Sequence, residues 1–232
     1  MWRSIFLALL LAGCAAAPDI QTVGAAYLGV AYQSDPLGEG VGYDSDPLIR
    51  FDAFDCTTFV ETVLARGDVD TLTQIRYAGG VADFVRRHHF METDWLTHNA
   101  DLVRPVSAHV APTARRRVTI DRAAWLRRVH GMDNDAAPQT VDLEYIPYAA
   151  WPRGYRPTRP MVVMFVGDGD GMREKIGTDL AVTHMGFLMP DGMLRHASSR
   201  AGCVRDENFD DYVAARQNSR HNLGVMLLEI IK

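Results

Sequence analysis

Three residues could act together chemically. Cys56 lies in Phe54-Asp55-Cys56-Thr57-Thr58-Phe59, where a helical pattern begins. His184 lies in Thr183-His184-Met185-Gly186-Phe187 and His196 in Arg195-His196-Ala197-Ser198-Ser199, both strand-like runs. Asp55 is suited to cap the helix, because its carboxylate accepts from exposed N–H groups of the first turn. Cys56 then sits where the helix dipole favours an anion. A thiol so placed can have its pKa drop from about 8.5 to roughly 3.5–7.5, and a thiolate is what acyl transfer needs. Taken alone, a cysteine at a helix start is more often a small buried residue. The two histidines strengthen the case.

Their placement follows from a turn. Pro190-Asp191-Gly192 separates the two strands. As a three-residue hairpin loop with Gly192 left-handed, it pairs Met189 with Met193. Pair numbers then sum to an even total, which puts His184 and His196 on one face, a diagonal step apart. A two-residue loop would send them to opposite faces. The expected relay is Cys56–His184–His196. Cys56 attacks a carbonyl carbon, and His184 takes the thiol proton and later protonates the leaving amine. His196 orients the His184 ring and fixes its tautomer. The Cys56 amide at the helix start supplies one oxyanion donor, and the other is unassigned.

The relay needs no cofactor and no metal. His88-His89 are adjacent, not at the i, i+4 spacing of a zinc helix, and Glu92 does not complete His-Glu-x-x-His. Asp168 and Asp170 lie in a Gly-rich run without the remaining ligands of a calcium loop, so a solvated loop is expected there.

The elements that carry these residues fall into two halves. Residues 22–31 are expected to form a helix, with Val23, Ala26, Tyr27 and Val30 on one side, and 33–46 a loop. The Cys56 helix runs from Asp55 or Cys56, through Phe59, Val60, Val63 and Leu64, to a stop at Gly67. Further helix is expected over 72–77 and 81–87, with Phe84 and Val85 inward, and over 118–129. Residues 93–99 are ambiguous. Arg115-Arg116-Arg117 is expected in a solvated loop. The second half gives strands at 160–166, 182–189, 193–197 and 223–231, with a helix at 209–217. Cys203, after Gly202, is expected in a loop. Helices followed by an antiparallel meander make the class α+β.

The chain has 232 residues, 47% hydrophobic and 23% charged, enough for one domain with a real core. Its net charge of -5 argues against a nucleic-acid partner. The N-terminus has a basic start at Trp2-Arg3, an apolar run over residues 5–12 that is too short to span a bilayer, and then Leu11-Ala12-Gly13-Cys14. That segment resembles a bacterial lipobox. The resemblance implies a signal peptide over 1–13, a lipid on Cys14, a tether over 14–20, and a domain over 21–232. Ala15 after the cysteine implies a periplasmic location at the outer membrane. With Cys14 lipidated, Cys56 and Cys203 remain, and in an exported protein a disulfide between them is the structural alternative to a nucleophile.

The motifs around Cys56, His184 and His196 are similar to those of the NlpC-type, papain-like cell-wall hydrolases. The closer resemblance is to a subfamily with Phe-Asp-Cys-Thr-Thr-Phe-Val-Glu, a later Asp-Trp, a Tyr-Ile-Pro segment and His-Ala-Ser-Ser. Here these are residues 54–61, Asp94-Trp95, Tyr145-Ile146-Pro147 and 196–199. It implies a papain-like fold, with the nucleophile at the start of a helix packed on an antiparallel sheet. It also implies N-acetylmuramoyl-L-alanine amidase activity on peptidoglycan fragments, with Asp55, Thr57, His89 and Trp95 as candidate substrate-pocket residues; the alternatives are a stem-peptide endopeptidase cutting at the γ-D-glutamyl bond and a non-catalytic muropeptide-binding lipoprotein, and a monomer is expected. The chain departs from the wider superfamily's Asp-Cys-Ser-Gly in having Thr57-Thr58, and after Asp94-Trp95 it reads Leu96-Thr97-His98-Asn99 where Asp-Asn is expected.

Overall fold

The computed structural model describes residues 19–231. The expected signal peptide, Cys14 and residues 14–18 of the tether lie outside them. Asp19 caps a short helix, α1 (Ile20–Ala25), its side chain accepting from the Thr22 amide. Asp19 and Ile20, expected in the tether, thus belong to this helix and its cap. The helix expected over 22–31 is shorter, because Gly29 turns at φ +85 and the chain enters the sheet at Ala31.

The strands are β1 (Ala31–Tyr32), β2 (Ala53–Phe54), β3 (Val103–Pro105), β4 (Ala114–Ile120), β5 (Gln139–Pro147), β6 (Met161–Gly167), β7 (Val182–Leu188), β8 (Met193–Ser198), β9 (Cys203–Asn208) and β10 (Asn222–Ile230). Among the described residues they form one ten-stranded sheet in the order β2-β1-β9-β8-β7-β6-β10-β5-β4, with β3 also on β10. All pairings are antiparallel except β1–β2. The class is α+β. No helix among the described residues is long and apolar enough to cross a membrane.

Alternation along β7 sorts its side chains. Met185 and Phe187 join the core on one face with Phe59, Val60 and Val63 of α2 (Cys56–Leu64). Leu188, with Leu194 of β8, joins a second core that includes Phe209 and Val213 of the Phe209–Ala214 helix. Phe54, Phe59 and Phe187 stack edge to face, with ring centroids 5.9 Å apart at each step. Burying each ring contributes about 1.5–3 kcal/mol, and the stack fixes α2 on β7 close to Cys56.

Several expectations are corrected. Arg115, Arg116 and Arg117 lie in β4, not in a loop, and the helix expected over 118–129 begins only at Arg122. Arg115 and Arg117 face Glu144 and Asp142 across the strands, Arg117 bonding Asp142 at 3.0 Å, so a charged run makes a good strand. β5 was not anticipated, nor was β9, whose Arg205-Asp206-Glu207 hides a strand behind charge. Cys203 opens β9 opposite Ser198, and Cys56 and Cys203 are both free thiols. The segment at 81–87 holds one turn, Phe84–Arg86, which buries Phe84 and leaves Val85 exposed. Residues 91–98 are helical.

Candidate active site

The site starts from the cap of α2. Asp55 Oδ1 accepts from the Thr58 amide at 2.8 Å, and Thr58 Oγ1 accepts from the Asp55 amide at 3.0 Å. This reciprocal box engages the Thr58 and Asp55 amides and leaves the Cys56 amide at the open end of the helix. Asp55 Oδ2 also accepts from the Asp35 amide at 3.2 Å. Asp55 is thus a cap and a loop tether.

The histidines come from the β7–β8 hairpin. Gly192 has φ +84, the Met189 amide donates to the Met193 carbonyl at 2.8 Å, and Phe187 pairs with Arg195 and Leu188 with Leu194. The register is the even one expected for a three-residue loop. The paired ladder ends at Phe187–Arg195. Just beyond it, a Cβ on Gly186 would lie 2.9 Å from His196 Cβ and 2.8 Å from the Arg195 carbonyl oxygen. Glycine is what lets β8 bring His196 this close. The buried Glu92 carboxylate accepts from the Ala181 and Val182 amides at 2.7 and 2.8 Å and fixes the start of β7, two residues before His184.

His184 Nε2 and His196 Nδ1 are 2.6 Å apart, with the rings at 76°. His196 Nε2 reaches Glu207 Oε1 of β9 at 3.3 Å. Phe165 stacks on His184 with centroids 5.3 Å apart, and Tyr212 meets His196 edge-on at 5.8 Å. On the other side, the Cys56 sulfur faces the backbone amide of Met185, the residue after His184. The two histidines thus meet on the β7–β8 hairpin, and the start of α2 sets the Cys56 sulfur against the amide of the residue that follows His184.

Electrostatics departs from the expectation of a resting thiolate. Burial, and then the Asp55 carboxylate, push the Cys56 thiol up from 9.0 to about 11. Burial, then His196 and Arg216, push His184 down from 6.5 to about 3. Burial also lowers His196, against the opposing pull of Glu207. Both shifts favour the neutral forms at rest, a thiol at Cys56 and an imidazole at His184.

A cavity of about 620 Å³ opens on the histidine face, lined by His184, His196, Tyr148, Ser199, Tyr212 and Arg216 among others. Cys56 is not in its wall. The other sequence candidates are not in it either. Thr57 sits beside Cys56, its Oγ1 4.0 Å from the sulfur. His89 Nε2 donates to the Phe84 carbonyl at 2.7 Å, and its ring packs on Phe84 and Trp125. Trp95 is fully buried, its Nε1 donating to Glu61 at 3.1 Å, so it belongs to the core and not to an open pocket. Sequence reasoning missed Tyr148, Glu207, Tyr212 and Arg216. Tyr148 directly follows the Tyr145-Ile146-Pro147 motif, which was the available signal, and its buried hydroxyl has no partner. Asp168 and Asp170 are less isolated than expected. With His221 they form a surface group in which Asp168 is half-buried, tied by a 2.9 Å contact between His221 Nδ1 and Asp168 Oδ2 and by the Asp170 amide donating to Asp168.

The pattern of the AmiA-like, N-acetylmuramoyl-L-alanine amidase-like family matches residues 22–220. The chain belongs to this family. Its class is that of amidase-like peptidoglycan hydrolases. The same fold occurs in a protein of Legionella pneumophila, with a TM-score of 0.83 at 23% identity over 92% of this chain and 88% of that one. It also occurs in an N-acetylmuramoyl-L-alanine amidase from Bacteroides uniformis, with a TM-score of 0.71 at 21% identity over 92% and 98% of the two chains. No curated protein gives a significant match. Family membership leaves the roles of Cys56, His184 and His196 to be argued from their geometry.

Proposed function

We propose that this family member is a cysteine amidase that cleaves the bond between N-acetylmuramic acid and L-alanine in peptidoglycan fragments. Cys56 is the nucleophile, His184 the base and then the acid, and His196 the orienting residue. The supporting observation is the 2.6 Å contact between His184 Nε2 and His196 Nδ1, with the Cys56 sulfur against the next residue of β7. His184 Nε2 faces His196, so Nδ1 is the atom left to handle the thiol proton.

The chemistry runs in two halves. The Cys56 sulfur attacks the lactyl carbonyl carbon as its proton passes to His184 Nδ1, and the Cys56 amide donates to the developing oxyanion. The tetrahedral adduct collapses, the C–N bond breaks, and the proton on Nδ1 goes to the departing L-alanine nitrogen. A thioester between the muramyl lactyl group and Cys56 remains. Water then attacks it, giving its proton to His184, and the acid leaves as the thiol is restored. Because thiol and imidazole are both neutral at rest, proton transfer accompanies the attack. His184 lines the cavity and Cys56 does not, so the leaving stem peptide occupies the cavity and the sugar lies on the Cys56 side.

Mass spectrometry of defined muropeptides incubated with wild type and Cys56→Ala tests this. The expected products are intact stem peptide and free muramyl sugar, absent with Cys56→Ala. A cut inside the stem, or turnover by Cys56→Ala, overturns the assignment. We propose as well that Cys14 carries a lipid that holds the enzyme at the periplasmic face of the outer membrane. Loss of membrane association and of palmitate labelling in Cys14→Ala is the expected result.

A further inference from the structure

The relay does not end at His196. Its Nε2 meets Glu207 Oε1 at 3.3 Å, and the same oxygen lies 3.4 Å from Arg205 Nε. Glu207 stands on β9, one diagonal step from His196, since the ladder pairs His196 with Arg205 and Leu194 with Glu207. The carboxylate is partly buried and lines the same cavity as both histidines. The other charged groups facing this cavity are Arg205, Arg200, Asp206, Asp211 and Arg216. Asp206 is committed to Arg195 at 2.8 Å, and Arg216 lies 3.4 Å over the Tyr212 ring.

A carboxylate only accepts hydrogen bonds, whereas a neutral imidazole donates from one nitrogen and accepts at the other. Facing Glu207, His196 must carry its hydrogen on Nε2, which leaves Nδ1 bare. A bare Nδ1 at 2.6 Å demands a hydrogen on His184 Nε2, and that leaves His184 Nδ1 bare. One carboxylate, two bonds away, thus determines which His184 nitrogen can accept the thiol proton. Without it, His196 can turn its hydrogen to Nδ1 and donate to His184 Nε2. The His184 hydrogen then moves to Nδ1, the nitrogen that would have served as base, and the relay points the wrong way.

We propose that Glu207 is a positioning residue that sets the direction of the proton relay through His196. The proposal rests on the assignment of Cys56 and His184 as nucleophile and base. In the reaction the proton leaves Cys56 Sγ for His184 Nδ1, while the hydrogens on His184 Nε2 and His196 Nε2 stay where they are. The imidazolium so formed feels the Glu207 charge through His196, an arrangement in which a partly buried acceptor counts for more than one in bulk water.

Two readouts on the whole protein test this. The first is ¹⁵N NMR of the histidine side chains, which reports tautomers and needs no substrate. In wild type both His184 and His196 should carry hydrogen on Nε2. In Glu207→Gln, whose amide both donates and accepts, the two rings should become mixtures. The second readout is muropeptide turnover. Glu207→Gln should lower kcat tenfold or more with KM within twofold, and Glu207→Ala should cost nothing further in a His196→Ala background. Unchanged tautomers and kcat in Glu207→Gln would overturn the proposal, as would independent effects of Glu207→Ala and His196→Ala. If the tautomers respond to Glu207 but wild type cuts no muramyl amide, the substrate assignment fails while the positioning role stands. Thermal unfolding of each variant separates a folding defect from both.

Discussion

Replacing Asp55 with Asn removes the charge beside Cys56 and, because the amide nitrogen cannot accept, also the bond from the Asp35 amide. Asn caps a helix as well as Asp, so α2 keeps its start while one negative charge beside the sulfur disappears. The thiol stands at about 11, against an ordinary 9.0, from burial first and the Asp55 charge second. The helix start pulls the other way, by up to about 2 kcal/mol in partly buried geometries. At 1.36 kcal/mol per pH unit this is at most about one and a half units. His184 is pushed down to about 3, so both groups favour their neutral forms at rest. The assay is the rate of Cys56 alkylation by iodoacetamide between pH 5 and 10.5, followed on the Cys56 peptide by mass spectrometry so that Cys203 does not interfere. In wild type the rate should climb across pH 8–10 without reaching a plateau. In Asp55→Asn the curve should move down by about one pH unit, giving roughly tenfold faster alkylation at pH 8. Rapid, flat alkylation of wild type from pH 5 to 7 would mean a resting thiolate and would refute the electrostatic reasoning. A slower Asn variant would refute the role given to the Asp55 charge.

Three other outcomes follow from the packing. Gly186→Ala drives a methyl against the Arg195 carbonyl and His196 Cβ, so it should cost about 1–3 kcal/mol in urea unfolding and reduce kcat by displacing His196; normal stability and kcat would contradict the close approach. Glu61 is fully buried with Arg76 at 3.3 Å and Trp95 Nε1 at 3.1 Å. Glu61→Ala should therefore cost about 3–5 kcal/mol by stranding the Arg76 charge, read as a lower urea midpoint. His89 and His184 are both held near 3 in the fold, against an ordinary 6.5. The unfolded chain binds their protons first, so the stability they contribute is complete above pH 6.5 and is lost as pH falls toward 3. Each contributes a slope of up to about 1.36 kcal/mol per pH unit in that window. His89→Gln, which can still donate to the Phe84 carbonyl, should flatten the slope by one proton, and an unchanged slope would remove His89 from the account.

Much of the site was legible because its signals are local. The Asp55 cap, the helical spacing of Phe59, Val60 and Val63, and the loop Pro190-Asp191-Gly192 each depend on residues a few positions apart. Period-two geometry converts one loop length into the shared face of His184 and His196. The apolar strands β6, β7 and β10 were visible for the same reason. β4 and β9 were hidden because Arg117 and Asp206 spend their charge on cross-strand partners, Asp142 of β5 and Arg195 of β8. A single segment then reads as solvated loop until its neighbour is known. Trp95 was misplaced because an Asp-Trp motif does not reveal that the indole faces Glu61 inside the core.

By itself, then, the sequence determined the start of α2, the parity of the β7–β8 hairpin and the α+β class, since each follows from short-range backbone geometry. Only the tertiary structure decided what surrounds the thiol and the imidazoles. Burial and the neighbouring Asp55 carboxylate make Cys56 a resting thiol where the helix start alone suggested a thiolate. The register of β9 adds Glu207 behind His196. Desolvation and cross-strand contact are sums over residues far apart in the chain, and they take their values only when the sheet is assembled.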